Sequence, residues 1–212
     1  MSLRHEQSLV EKIHISLQSL DISGLKCVHK GRSTSKDSFK GLLTKFFGKH
    51  APEFLVEPDL ILVFDDYKEI IDEYIIIGVE FKYFRAEGAV KKKLRQAFRM
   101  LGQPLRYLAF GFDSAVLWHV FSHDFNVELA KAYSDLIQEV IDLLELPLVY
   151  FSTIIKPDNK FDILVPSEIN NTSLEYAIRY LRNLCDDTRN PSINKKTIIE
   201  RRRVLKVIIN LP

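Results

Sequence analysis

Residues 58–84, PDLILVFDDYKEIIDEYIIIGVEFKYF, decide the fold. DLILVF at 59–64 and YIIIGVEFKYF at 74–84 are β-branched, apolar runs of strand length, and the polar stretch DDYKEIIDE at 65–73 joins them into a hairpin. Side chains two apart in a strand share a face, so Glu80 and Lys82 project together while Phe81 points away. Ions flanked by apolar residues cost several kcal/mol each unless they are paired or bind a metal. Two other acid-x-Lys triplets, DYK at 66–68 and DNK at 158–160, fall in turns where the side chains are solvated. EFK alone lies inside a strand.

Asp59 follows Pro58 and opens the first strand of the hairpin, so its carboxylate is brought toward the same end of the sheet as Glu80. Two carboxylates and the main-chain carbonyl of Phe81 make an oxygen set suited to Mg²⁺. An ion held there can polarise a phosphodiester and activate water, with the Lys82 ammonium orienting that water. Pro-Asp, a spacer, then Asp/Glu-x-Lys on a strand resembles the motif of the PD-(D/E)xK nuclease superfamily. The alternative is a hairpin holding an ordinary Glu–Lys pair. The Pro-Asp at 157–158 has no acid-x-Lys at suitable distance.

Working outward, residues 2–20 have a helical period, with Leu3, Leu9, Val10, Ile13, Leu17 and Leu20 on one stripe. Gly24 ends the helix and LKCVHK at 25–30 reads as a strand. GRSTSKDS at 31–38 is a polar loop, and 39–47 returns to helical spacing. A helix over 87–102 follows the hairpin, then strands at 106–112 and 115–121 about an Asp113-Ser114 turn. Further on come a helix at 127–145, strands at 148–155 and 161–165, a helix at 172–184 and a basic segment at 196–209, with 157–171 as loops. The order through residue 121 follows that of the superfamily's core. The expected fold is therefore α/β, a restriction-endonuclease-like mixed central sheet flanked by helices. Residues 1–125 would form the nuclease core, and 126–212 a C-terminal α/β extension packed on it for dimerisation or substrate selection.

The resemblance implies two further site residues. Members often carry a Glu on the first helix beside the metal. Glu6 lies at the centre of the apolar stripe, whereas Glu11 is on the polar face, so Glu6 is preferred, unless the helix end frays and Glu6 reaches solvent. Members also often carry a Gln on the helix after the motif strand, a position that Gln96 fits. Gln96 lies opposite the apolar stripe, where a solvated side chain is equally in order. In one branch that Gln precedes a Tyr by four residues; Gln96 precedes Met100, while Gln103 precedes Tyr107 with Pro104 between them. The implied catalytic set is Asp59, Glu80, Lys82, Glu6 and Gln96, with Asp59, Glu80, Phe81 and Glu6 as metal ligands. Mg²⁺ would be the cofactor, with Mn²⁺ as a substitute.

Charge adds a partner. Lys and Arg number 30 against 28 Asp and Glu, so net charge names none, but the bases cluster. Residues 26–50 carry a local net of +6, residues 91–99 carry five bases and no acid, and 195–206 carry six bases against Glu200. Such blocks are either solvated faces or the footprint of a polyanion. With the nuclease resemblance, Lys30, Arg32, Lys36, Arg85, Lys91, Lys92, Lys93, Arg95 and Arg99 are expected to hold DNA phosphates. Tyr83 and Phe84 at the strand end suit either stacking on a duplex or the core.

Apolar residues at 46% and charged residues at 27% describe a globular chain. Its longest apolar run, YIIIGV at 74–79, is far short of a membrane span, and the charged N-terminal stretch lacks an apolar signal region. With two cysteines, Cys27 and Cys185, a reducing compartment is expected. His119 and His123 have the i, i+4 spacing of a helical metal pair but lie in a strand pattern, which argues against zinc. No Gly-rich phosphate loop and no G-x-S-x-G elbow is present. The superfamily resemblance implies a Mg²⁺-dependent hydrolase of DNA phosphodiesters, structure-selective in the manner of a Holliday-junction resolvase and acting as a homodimer. The alternative is a nucleic-acid-binding protein that keeps the fold without catalysis. In length and general character the chain is also similar to small nucleases of archaeal spindle-shaped viruses, which would place it in a host cytoplasm.

Overall fold

The computed structural model describes residues 2–30, 44–45, 58–66, 72–87, 94–95, 98–99 and 101–212, with side chains from Glu6 onward. Among these residues seven strands form one mixed sheet: β1 (Leu25–Lys30), β2 (Leu60–Asp65), β3 (Tyr74–Phe84), β4 (Ser114–Ser122), β5 (Val149–Ile155), β6 (Phe161–Val165) and β7 (Ile169–Thr172), in spatial order β1 to β7. The flanking pairs β1/β2, β2/β3, β5/β6 and β6/β7 are antiparallel, and the central β3/β4 and β4/β5 are parallel. The chain is thus α/β, with helices on both faces of the sheet. Residues 126–212 extend that same sheet through β5–β7.

Central strands covered on both faces should read as continuous apolar runs rather than alternating ones. β4, SAVLWHVFS, is buried at every position, and β3 from Ile75 to Phe81 likewise. Parallel neighbours require a crossover. The β3–β4 connection contains α2 (Gly102–Leu108), and the β4–β5 connection is α3 (Val127–Leu143). Both pack on the same face, as two successive crossovers of one hand require when strands are added in one direction. α5 (Lys196–Ile208) joins them through Leu205. The opposite face is covered by α1 (Ser2–Ser19), through Leu9, Val10, Ile13 and Leu17, and by α4 (Leu174–Asp187), through Ala177, Ile178, Leu181 and Cys185.

Three expectations change. Residues 106–112 do not form a strand: 102–108 is helix α2, followed by a turn through Gly111, and β4 is the parallel neighbour of β3 rather than half of a hairpin. The stretch read as loops holds β7, a four-residue strand at the edge of the sheet. The basic segment at the C-terminus is a helix, and part of its charge is internal. Arg202 is buried, with Nε and Nη2 on Asp72, Nη1 on Asp113 at 2.6 Å, and the Gly111 and Tyr74 carbonyls accepting its remaining donors. Lys206 adds an ion pair to Asp72. This end of the third basic block therefore ties α5 to the base of the β2–β3 hairpin. Gly111 makes the approach feasible, because a Cβ there would lie 2.7 Å from the Arg202 backbone.

Candidate active site

β2 is shorter than β3, and the mismatch builds the site. Their register begins at Leu60↔Val79, so residues 80–84 of β3 run past the start of β2 while their other edge stays paired with β4. An unpaired sheet edge exposes backbone N–H groups that must find partners. Two carboxylates fill the gap. Asp59 Oδ2 accepts from the Phe81 N–H at 2.8 Å, and Glu6 Oε2 from the Tyr83 N–H at 3.3 Å. Pro58, buried, stands just before Asp59, where a missing N–H costs the ladder nothing. Glu6 arrives from α1 across the end of β2, which explains a carboxylate at the centre of an apolar stripe.

Glu80 lies on the α2 side of the sheet and is only 3% exposed. Its Oε1 accepts from Lys82 Nζ at 2.6 Å, and its Oε2 from the hydroxyl of Tyr107 on α2. Lys82 Nζ also donates to the Phe81 carbonyl at 2.9 Å and stands 3.8 Å from Glu6 Oε1. Gly78 lets Tyr107 come this close: a Cβ there would meet Tyr107 Cδ2 at 2.7 Å.

The electrostatics follow from burial. Desolvation, and then the neighbouring Asp59 carboxylate, push Glu80 up to about 7 against the opposing pull of Lys82 and Tyr107. Burial alone would lower Lys82, but Glu80, Glu6 and Asp59 outweigh it and hold the ammonium above its ordinary value. Burial and the Glu80 charge keep the Tyr107 phenol well above its own. Among the described residues, the carboxylates of Glu6, Asp59 and Glu80 all act on the Lys82 ammonium.

The structure brings Glu6, Asp59, Glu80, Phe81 and Lys82 together. Among the described residues no group of three or more His, Cys, Asp or Glu is placed to hold a metal ion, and Glu6 is engaged with Tyr83 and Lys82. Lys30 pairs with Glu11 and Arg85 with Glu87 at 3.3 Å, while Arg95 and Arg99 are exposed in helical turns. Phe84 packs in the core against Phe121 and His119. Gln96, Arg32, Lys36, Lys91, Lys92 and Lys93 lie outside the described residues, as does most of the 39–47 helix.

Tyr107 is the site residue absent from the expected set. Its signal is the Gln103-to-Tyr107 spacing, which a strand at 106–112 conceals. His119 is buried within β4, with Nδ1 2.9 Å from the Tyr150 hydroxyl, and desolvation, with a smaller contribution from Lys82, lowers it to about 3. No family model, curated protein or solved structure matches the chain.

Proposed function

We propose that the chain is a Mg²⁺-dependent nuclease that hydrolyses DNA phosphodiesters on a restriction-endonuclease-like core. The observation that carries the reading is the buried Glu80 at the open end of β3, its oxygens held by Lys82 and Tyr107 beside Asp59. Lys82 Nζ already rests on both Glu80 Oε1 and the Phe81 carbonyl, so these two oxygens converge on one cation, and all the donors are hard oxygens of the kind Mg²⁺ takes. Asp59, Glu80 and the Phe81 carbonyl would hold the ion. When bound, it supplies Lewis-acid polarisation of the phosphodiester and a water acidic enough to attack.

The protein's own groups do the rest. Lys82 orients the water and offsets charge developing on the phosphate. Tyr107 fixes the second Glu80 oxygen, and Glu6 holds the Tyr83 backbone and steadies Lys82. Lys30, Arg85, Arg95 and Arg99 would grip phosphates without reading bases. Four-way and flapped DNA are the substrates to try beside linear duplex.

Calorimetry with Mn²⁺ on the wild type and on Glu80→Ala, with cleavage of linear, flapped and four-way DNA, tests the reading. Saturable binding lost in Glu80→Ala, with metal-dependent cutting of one substrate, is the expected result. Metal-independent DNA binding with no cutting would favour a nucleic-acid-binding protein that keeps this fold. No metal binding in either protein would reduce the motif to a Glu–Lys pair.

A further inference from the structure

α3 has more apolar surface than the sheet covers. Ala130, Tyr133, Ile137 and Ile141 are buried against β5 and β6, as a single amphipathic face should be. Beside them lies a second stripe: Leu129, Leu136 and Leu143, seven residues apart, are 39%, 49% and 78% exposed. Steps of seven on a 3.6-residue helix drift by only about 20°, so the three leucines line one seam roughly 21 Å long. Heptad-spaced leucines are the pattern by which one helix packs against another. A single exposed Leu calls for no explanation, but three in register on one helix do.

The charge along the seam says what kind of helix fits. Glu139, Glu128, Asp135 and Asp142 fall on the strip just beyond the leucines and are all exposed. The helix's one base, Lys131, is held by Asp135 at 2.6 Å and by Glu168 at 3.4 Å. A chain of net charge +2 thus presents an acidic rim to a leucine seam. A cleft of about 520 Å³ opens between this rim and Pro166, with room for long basic side chains. A second copy packed antiparallel about Leu136 would lay the acidic strip from Glu128 to Asp142 of one chain alongside the same strip of the other, which like charges oppose. We infer that α3 is a docking site for an amphipathic basic helix of a partner protein, with apolar residues at heptad spacing and Lys or Arg beside them.

The probe is a synthetic helical peptide of about 21 residues with Leu at heptad a and d and Lys at e and g. Its control carries Glu in place of Lys. Titrated into the full chain, the Lys peptide is expected to bind and the Glu peptide not to. Leu136→Ser with Leu143→Ser should raise the Kd at least about tenfold. Glu139→Lys with Asp142→Lys should raise it about fivefold, and affinity should fall as salt rises from about 50 to about 300 mM. All four side chains are exposed, and circular dichroism checks that the fold is kept. Equal binding of the two peptides, a Kd indifferent to the Leu136 and Leu143 substitutions, or no binding overturns the inference. So does a wild-type dimer in sedimentation that Leu136→Ser with Leu143→Ser dissolves, because a second copy would then cover the seam.

Discussion

Replacing Glu80 by glutamine should change how stability depends on pH. Glu80 stands at about 7 in the folded chain against 4.5 for the free side chain, so between those values the folded state keeps a proton that the unfolded state has lost. Stability therefore declines as pH rises from about 4.5 through 7, and levels off once both states are ionised. A displacement of that size corresponds to about 3 kcal/mol. The amide of Glu80→Gln has no such proton, so wild type minus variant should fall by about 3 kcal/mol across the window. Carboxylates that do not interact with Glu80 contribute equally to both proteins and cancel. The amide also offers a single acceptor for two donors, Lys82 and Tyr107, which costs a fixed amount at every pH, so the slope rather than the level carries the test. Urea titrations in chelator from pH 4 to 8.5, read by the fluorescence of Trp118, the one tryptophan of the chain, give both curves. Parallel curves would refute the burial argument for Glu80.

Three further outcomes follow from the same contacts. Tyr107→Phe removes the donor on Glu80 Oε2 and should push Glu80 further above 7; at the proposed metal site Mn²⁺ would compete with that proton, so the pH midpoint of Mn²⁺ binding should rise, by calorimetry, and an unmoved midpoint would remove Tyr107 from the site. Gly78→Ala forces a methyl into the buried Tyr107 ring and should cost about 1–3 kcal/mol in urea unfolding, where an effect within about 0.5 kcal/mol would mean the ring gives way freely. Arg202→Met leaves Asp113 and Asp72 without their main counter-charge and should cost about 3–5 kcal/mol; adding Asp113→Asn should recover part of it, and strictly additive losses would argue against the pair.

The hairpin and the grouping of Asp59, Glu80 and Lys82 on it are legible in the sequence because strand period and burial cost act locally. β3 spans residues 74–84 as read, and a carboxylate at the centre of an apolar stripe correctly called for a partner at Glu6. The segment 106–112 was not legible. RYLAFGF carries the aromatic, apolar character of a strand, and only the parallel pairing of β3 with β4, a long-range event, demands that the connection be a crossover. Tyr107 was hidden by that misreading. β7, at INNT, lacks strand character and exists because β6 offers it an edge. Basic residues at 201–206 read as a surface, since sequence cannot reveal that Asp72 and Asp113 converge beneath Arg202.

In the sheet, each strand lies beside its neighbour in sequence, so the seven strands assemble from short-range contacts that close quickly. The two ends of the chain are the exceptions. Glu6 meets Tyr83 across 77 positions, and Arg202 meets Asp72 across 130. Loop closure of that length comes late. Asp59, Glu80 and Lys82 belong to one hairpin, whereas the Tyr83 amide takes its carboxylate acceptor from the N-terminal helix, so in a chain without α1 that amide would lose its partner while the hairpin contacts stay in place.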